Sequence, residues 1–305
     1  MAAVCAGVGI PRGLMNTQWE KVFNRFFAGL EIPVRWSRKS TEKTFYRGKK
    51  RILDEFCLPL KLFAGHVLEL AEETDLPLFV PLIAGNRNRD CFLCHNQFRA
   101  PDILVNSDLV KRERLLSPHF RFDNNLRLLP EGFFELGRQL GSDDEKVREL
   151  ISAQDSPEQF SFQRENGEAV AVLGRSYVLN DPWLSRGIVP VLKDLGYRVI
   201  PVSGEPGGTE SEDPADLSHF ALTAGMINQL RILAGKQELS GIVVLKPFLC
   251  GPDCGLEKDA ARALPTRSCI PVLSLVIDEN QSDGGLKTRL EAFSDLMSAK
   301  RRVDL

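Results

Sequence analysis

Residues 169–202 read AVAVLGRSYVLNDPWLSRGIVPVLKDLGYRVIPV, and the fold class follows from this stretch. Two short apolar runs, Ala169–Leu173 and Tyr197–Val202, are typical of buried strands. Between them, Trp183–Leu195 has the apolar spacing of a helix, and Gly196 follows at a position where helices commonly end. A strand, a helix and a second strand joined in this way are typical of a parallel sheet covered by helices. The stretch therefore predicts an α/β fold.

The same alternation continues on both sides of this stretch. Before it, apolar patterning predicts strands and helices over Val4–Ile10, Lys43–Phe56, Leu60–Glu73 and Leu78–Ile83. After it, the patterning predicts further elements over Leu217–Leu233, Ile242–Leu245, Val272–Ile277 and Leu286–Ala299. With 305 residues, the chain has room for two domains, each doubly wound in the Rossmann-like or flavodoxin-like manner. The polar region between them divides the chain into an N-terminal α/β domain (1–124), a linker with bridging helices (125–167) and a C-terminal α/β domain (168–305).

Composition excludes several classes of protein. Hydrophobic residues make up 43% and charged residues 26% of the chain, which excludes a disordered chain or a fibre. The net charge of −2 argues against general nucleic-acid binding, which needs an excess of cations. No apolar run approaches the roughly 20 residues of a membrane span, and the N-terminus resembles a strand more than a signal peptide. We therefore expect a cytoplasmic protein that binds neither nucleic acid nor membrane.

The seven cysteines carry the clearest chemical signal. An odd number is a poor disulfide framework, so we expect metal binding or reactivity instead. Two of them, Cys5 and Cys269, are interpreted as small buried hydrophobic residues. The other five lie beside Pro, Gly or charged residues in loops that follow or precede predicted elements: Cys57, Cys91, Cys94, Cys250 and Cys254. Loops at the carboxyl ends of parallel strands are where α/β proteins bind ligands.

Spacing alone leaves the metal open between zinc and iron–sulfur. Zinc could take two close pairs of thiolates, but most of two domains would separate these pairs. An iron–sulfur cluster is a larger ligand that can join distant loops through Cys thiolates, and we favour it modestly. The chain contains no Gly-x-x-x-x-Gly-Lys-Ser/Thr, and Gly7-Val-Gly9 lacks the third glycine of the dinucleotide motif. The protein is therefore not expected to be an ATPase itself.

Several motifs, in order along nearly the whole chain, resemble one family. They are Gly9-Ile-Pro-Arg12, Cys57-Leu-Pro-Leu-Lys61 with Gly65-His66, Cys94 with Phe98 and Pro101-Asp102, Leu173-Gly-Arg175-Ser-Tyr177, Phe248-Leu-Cys250-Gly-Pro-Asp253 and Leu275–Glu279. The chain resembles the 2-hydroxyacyl-CoA dehydratase superfamily, in particular its activase-associated, double-cubane-like branch. The resemblance implies a [4Fe–4S] cluster in a cleft between two α/β domains, held by Cys57, Cys94 and Cys250. It also implies a separate ATP-hydrolysing activase, with its own cluster, as the electron donor, and it is compatible with a homodimer.

Two cysteines, Cys91 and Cys254, depart from the family pattern. Three thiolates leave one iron with an open position, which either extra thiol could fill. Together with Cys269, the extra thiols would be numerous enough for a double-cubane cluster. The alternative is that they are bystanders, and the sequence does not choose between these possibilities.

Three further residues are weak catalytic candidates. Arg12 and Arg175 follow predicted strands and could offset cluster charge or bind an anion, but an ion pair at a strand end is an equal alternative. His66 could bond a sulfur or relay a proton, although a solvated or capping histidine is favoured. Asp253 is expected to cap the following helix rather than to ligate iron, and Asp278 and Glu279 are expected to cap the final helix rather than to act as acid–base groups. The functional hypothesis is low-potential electron transfer or reduction of a small substrate; the alternatives are a 2-hydroxyacyl-CoA dehydratase subunit and a non-enzymatic Cys-ligated zinc-binding interaction protein.

Overall fold

The computed structural model of the protein describes residues 6–86, 92–123, 126–153, 167–204, 220–236, 239–264 and 270–303. The chain divides into two compact units, Met1–Glu158 with His219–Ala221 and Gln159–Ser218 with Leu222–Leu305. Each unit contains a parallel sheet with helices packed on it, so the predicted α/β fold is confirmed. No helix within the described ranges combines the length and apolar character that a bilayer span requires.

The first unit contains a four-stranded and a two-stranded parallel sheet. The strands of these two sheets are β1 (Val8–Ile10), β2 (Val34–Trp36), β3 (Leu78–Phe79), β4 (Leu82–Asn86), β5 (Leu115–Leu116) and β6 (His119–Phe122). Its helices are α1 (Thr17–Gly29), α2 (Glu42–Lys49), α3 (Leu58–Glu73), α4 (His95–Phe98), α5 (Ala100–Asn106), the 3₁₀ turn Arg112–Arg114, α6 (Pro130–Gln139) and α7 (Asp144–Ser152). The sheet order is β2-β1-β3-β5, and β4 pairs with β6 in a second, two-stranded parallel sheet.

Prolines separate β3 from β4 and β5 from β6. The backbone N–H of Val80 donates to Leu116 O, and that of Leu82 donates to Pro118 O, at 3.0 Å each. Pairing therefore continues between the two sheets, but Pro118 has no N–H with which to complete the ladder. The predicted strand Leu78–Ile83 is thus two strands separated by Val80-Pro81.

Aromatic side chains form the core of the first unit. Phe23 of α1 packs edge-on against Phe79 and Phe120, with ring centroids 4.7 and 5.0 Å apart. Phe133 of α6 joins the same group at 5.0 Å from Phe120. Val147 of α7 is fully buried. Both α6 and α7 lie in residues 125–167, where we predicted a linker with bridging helices, and both pack within the first unit.

Helices α2 and α3 cross with their backbones close together. Gly48 of α2 and Gly65 of α3 meet where the two backbones approach each other. A Cβ atom on Gly48 would overlap Lys61 O, and one on Gly65 would overlap Thr44 O. Only hydrogen fits at either position, so these glycines fix the position of α3 against α2.

The second unit has the strands β7 (Ala169–Leu173), β8 (Arg198–Val202), β9 (Leu239–Pro247) and β10 (Val272–Ile277). Its helices are α8 (Ser176–Leu179), α9 (Ile188–Asp194), α10 (Ala221–Lys236), α11 (Leu256–Ala263) and α12 (Asp283–Val303). The sheet order is β10-β9-β7-β8, and all its pairs are parallel. Every residue of β7 is buried, as expected for a central strand covered on both faces.

Candidate functional site

In each unit the strand order is second, first, third, fourth along the sheet. The second strand therefore lies on one side of the first strand, and the third strand lies on the other side. In open α/β sheets, ligands bind where the strand order reverses in this way, beyond the carboxyl ends of the strands. Arg12 follows β1 at this edge of the first unit, and Arg175 follows β7 in the second. The loop Phe248–Gly255, which contains Cys250, follows β9 beside β7. The topology thus places these predicted residues at binding edges.

In the first unit, two cysteines each stand immediately before a helix. Cys57 is the N-cap of α3 and is buried, while Cys94 is the N-cap of α4 and is half-buried. The side-chain amide of Asn96 donates to Cys57 Sγ at 3.7 Å, which links the two cysteine motifs. Lys61, one turn into α3, is buried and donates from Nζ to Asp54 O at 2.8 Å, which holds the loop that leads to Cys57. Sequence reasoning missed Asn96; its only signal was a polar residue two positions after Cys94.

In the second unit, Cys250 belongs to a buried polar group. Its Sγ donates to Asp253 Oδ2 at 3.2 Å. Asp253 is fully buried and accepts two bonds from Arg175, from Nε at 3.1 Å and from Nη2 at 2.8 Å. Burial opposes the charged form of Arg175, but the carboxylate of Asp253 raises the pKa of Arg175 well above its ordinary value. This pair ties the Cys250 loop to the end of β7.

Two predicted helix caps are wrong. Gly255, not Asp253, is the N-cap of α11, and glycine has no side chain with which to form a cap bond. The carboxylate of Asp253 accepts from Arg175 instead. Asp278 accepts from the backbone N–H of Asn280 at 2.7 Å within a turn. Ser282 stands before α12 and accepts from the N–H of Gly285 at 3.2 Å. For Arg175, the ion-pair alternative is the arrangement that the structure contains.

Arg12 and His66 lie in the first unit. Arg12 donates from its backbone N–H to Ser37 Oγ and from Nε to Ser37 O, each at 2.9 Å. His66 is fully buried in α3, so the favoured prediction of a solvated or capping histidine is wrong. Its Nε2 lies 2.9 Å from Ser40 Oγ, and its Nδ1 lies 3.9 Å from Glu69 Oε2. Burial, together with the positive charge of Arg12, lowers the pKa of His66 to about 4.

The low pKa of His66 predicts acid sensitivity of folding. Below the ordinary pKa of 6.5 the unfolded chain binds a proton at His66 that the folded chain does not, so stability falls as the pH drops from 6.5 towards 4. Between about pH 7 and about pH 5.5 the loss should be about 1.2 kcal/mol. Urea unfolding of the wild type and His66→Gln across this range measures it. Over this pH range the free energy of unfolding should fall by about 1.2 kcal/mol less in His66→Gln than in the wild type. Equal losses in the two proteins would contradict the prediction.

Four of the seven cysteines lie within the described residues. These are Cys57, Cys94, Cys250 and Cys254, and of these Cys254 is exposed. Cys5, Cys91 and Cys269 lie outside the described residues. Among the residues that the structure describes, no group of three or more His, Cys, Asp or Glu side chains is arranged to hold a metal ion.

Comparison with known proteins identifies the family. No curated protein matches the chain. A family described as the CoA enzyme activase uncharacterised domain matches residues 7–203, about two thirds of the sequence. The matched segment includes Arg12, Cys57, His66, Cys94 and Arg175. This description agrees with the resemblance to the acyl-CoA dehydratase activase-related branch. The chain therefore belongs to the CoA enzyme activase uncharacterised domain family.

Proposed function

We propose that this protein is an iron–sulfur protein that accepts low-potential electrons from a separate, ATP-hydrolysing activase with its own cluster. The observation that carries the proposal is the local setting of three cysteines: Cys57 and Cys94 each precede a helix of the first unit and are linked through Asn96, and Cys250 lies in the loop that follows β9. The family description, a CoA enzyme activase domain, supports an activase-linked role. The lack of a phosphate-loop motif in the sequence favours the electron-accepting partner.

The donor chemistry of these residues fits a [4Fe–4S] cluster. Such clusters are held by Cys thiolates, and the three proposed ligands are all cysteines. Cys57 and Cys94 each stand immediately before a helix, α3 and α4 respectively. When bound, the cluster would supply one-electron transfer.

Residues around the proposed ligands hold them in place. Asn96 donates to Cys57 Sγ, and hydrogen bonds to ligand sulfurs are one determinant of cluster potential. Lys61 holds the loop before Cys57 through Asp54 O. In the second unit the Arg175–Asp253 pair holds the loop of Cys250. Each contact holds one proposed ligand within its own unit, as supporting residues do in metal sites.

Iron and sulfide analysis after anaerobic purification tests the proposal. We expect about four iron and four sulfide per chain for one cluster, or about twice as many for a double cubane. Cys57→Ser, Cys94→Ser and Cys250→Ser should each lose most of the iron and the absorbance near 400 nm. Cys254→Ser, which changes an exposed thiol in the same loop as Cys250, tests whether Cys254 is a bystander, in which case the variant retains both.

Other metal contents would favour the alternatives. Stoichiometric zinc without sulfide would support the zinc-binding interaction protein. Full iron in the triple variant of Cys57, Cys94 and Cys250 would overturn the ligand assignment. Iron loss in Cys254→Ser would add a fourth ligand and remove the open iron position.

A further inference from the structure

A hollow of about 750 Å³ lies beside strand β5, at the edge of the first unit's sheet. Part of its wall is apolar and includes Phe98, Leu115 and Leu140. Another part is charged and is formed by Arg99, Asp102 and Arg112. The volume is within the range of small-molecule sites, which combine apolar walls with a few placed polar groups. Neither the family description nor the proposed iron–sulfur chemistry accounts for this hollow.

One carboxylate orders both guanidinium groups of the hollow. Asp102 Oδ2 accepts from Arg99 Nη1 at 3.0 Å, and Oδ1 accepts from Arg112 Nη2 at 2.6 Å. The hydrogen bonds from Arg112 and then Arg99 lower the pKa of Asp102, although partial burial opposes this. Arg99 also lies over the Phe98 ring, 5.4 Å from its centroid. The two arginines are therefore positioned before a ligand arrives, which reduces the ordering cost of binding.

The charges indicate which class of anion fits. Two guanidinium groups and one carboxylate leave a single positive charge, and each guanidinium has more N–H donors than Asp102 uses. The carboxylate of Glu113 also lines the hollow and brings the formal charge of the lining to zero, so a doubly charged phosphate would be opposed more strongly than a singly charged carboxylate. We propose that this hollow binds a small organic monocarboxylate, with the carboxylate on Arg99 and Arg112 and an apolar group against Phe98, Leu115 and Leu140.

Calorimetric titration of the full chain with four probes tests the class of ligand. The first probe, 3-phenylpropionate, has both a carboxylate and an apolar ring. Acetate has the carboxylate alone, and 3-phenylpropanol has the ring without the carboxylate. Phenyl phosphate has a ring and a doubly charged phosphate. We expect 3-phenylpropionate to bind at least about tenfold more tightly than each of the others. Tighter binding of phenyl phosphate would overturn the carboxylate assignment, and no binding of 3-phenylpropionate at millimolar concentration would overturn the site.

Three variants and a control test the residues. Arg99→Gln and Arg112→Gln should each weaken 3-phenylpropionate at least about tenfold. Glu113→Gln removes the competing charge and should tighten binding, a gain that damage to folding would not produce. Arg148→Gln, which changes an exposed arginine outside the hollow, should leave the affinity unchanged. Equal affinities of the wild type and both arginine variants would overturn the proposal. None of these outcomes depends on whether the protein carries iron.

Discussion

Asp253→Leu should lower the free energy of unfolding by about 3–5 kcal/mol, because it leaves a buried charge without its partner. Arg175 is only 1% exposed and Asp253 is fully buried, so water cannot replace the lost carboxylate. Thr223 Oγ1, 3.4 Å from Arg175 Nη2, accepts one bond but carries no charge. Denaturant unfolding of the wild type and the variant measures the difference.

A double-mutant cycle separates the interaction energy of the Arg175–Asp253 pair from the effect of replacing each buried side chain. Arg175→Met combined with Asp253→Leu should recover most of the loss, because apolar side chains of similar volume often replace buried ion pairs at little cost. The exposed pair Lys146–Glu149, joined at 3.1 Å, is the matched control. Glu149→Ala there should cost less than about 1 kcal/mol. A cost of Asp253→Leu no greater than that of Glu149→Ala would show that the pair is not buried as described.

Gly65→Ala should cost about 3 kcal/mol or more, which exceeds the effect of most core substitutions. The added methyl group would overlap the backbone oxygen of Thr44, and α2 and α3 would have to separate. Gly48→Ala should have a similar effect through Lys61 O. Both changes force apart the same helix crossing. The double variant should therefore lose less unfolding free energy than the sum of the losses in the two single variants.

A glycine in another helix provides the control for this prediction. Gly235 lies in α10, and a Cβ atom built there meets nothing within 4 Å. Gly235→Ala should therefore stabilise the protein by about 0.5–1 kcal/mol, the usual preference for alanine in a helix. Thermal and urea unfolding of the three single variants gives the comparison. A stable Gly65→Ala protein would mean that the two helices do not touch at these glycines.

Elements with strong local patterns were predictable from the sequence. The predicted strand Val272–Ile277 has the same bounds in the structure, and α3 begins only two residues before its predicted start. The predicted helix Trp183–Leu195 is shorter, since Arg186 and Gly187 adopt positive φ and α9 begins after them. The predicted helix Lys43–Phe56 ends at Lys49, because the loop that follows is held by Lys61. Periodicity does not report such contacts.

The candidate site was predictable in its residue types and not in its partners. Cysteines beside Pro and Gly near predicted strands indicate candidate ligands, and their role as ligands stays a prediction. The Arg175–Asp253 bond joins positions 78 residues apart, so no local pattern could reveal it. The burial of His66 depends on the α2–α3 crossing and on Ser40, which lies 26 residues away. Asn96 was missed for the same reason, since its contact with Cys57 spans 39 residues.

The central position of β7 means that the segment matched by the family model does not contain the whole sheet of the second unit. β7 pairs with β8 on one side and β9 on the other, whereas the family match ends at residue 203, just after β8. A truncated protein that stops there would keep β7 and lose β9, which leaves an apolar strand with an open edge. Such edges recruit strands from other chains and lead to aggregation. A soluble fragment is therefore better cut between the two units than at the end of the family match.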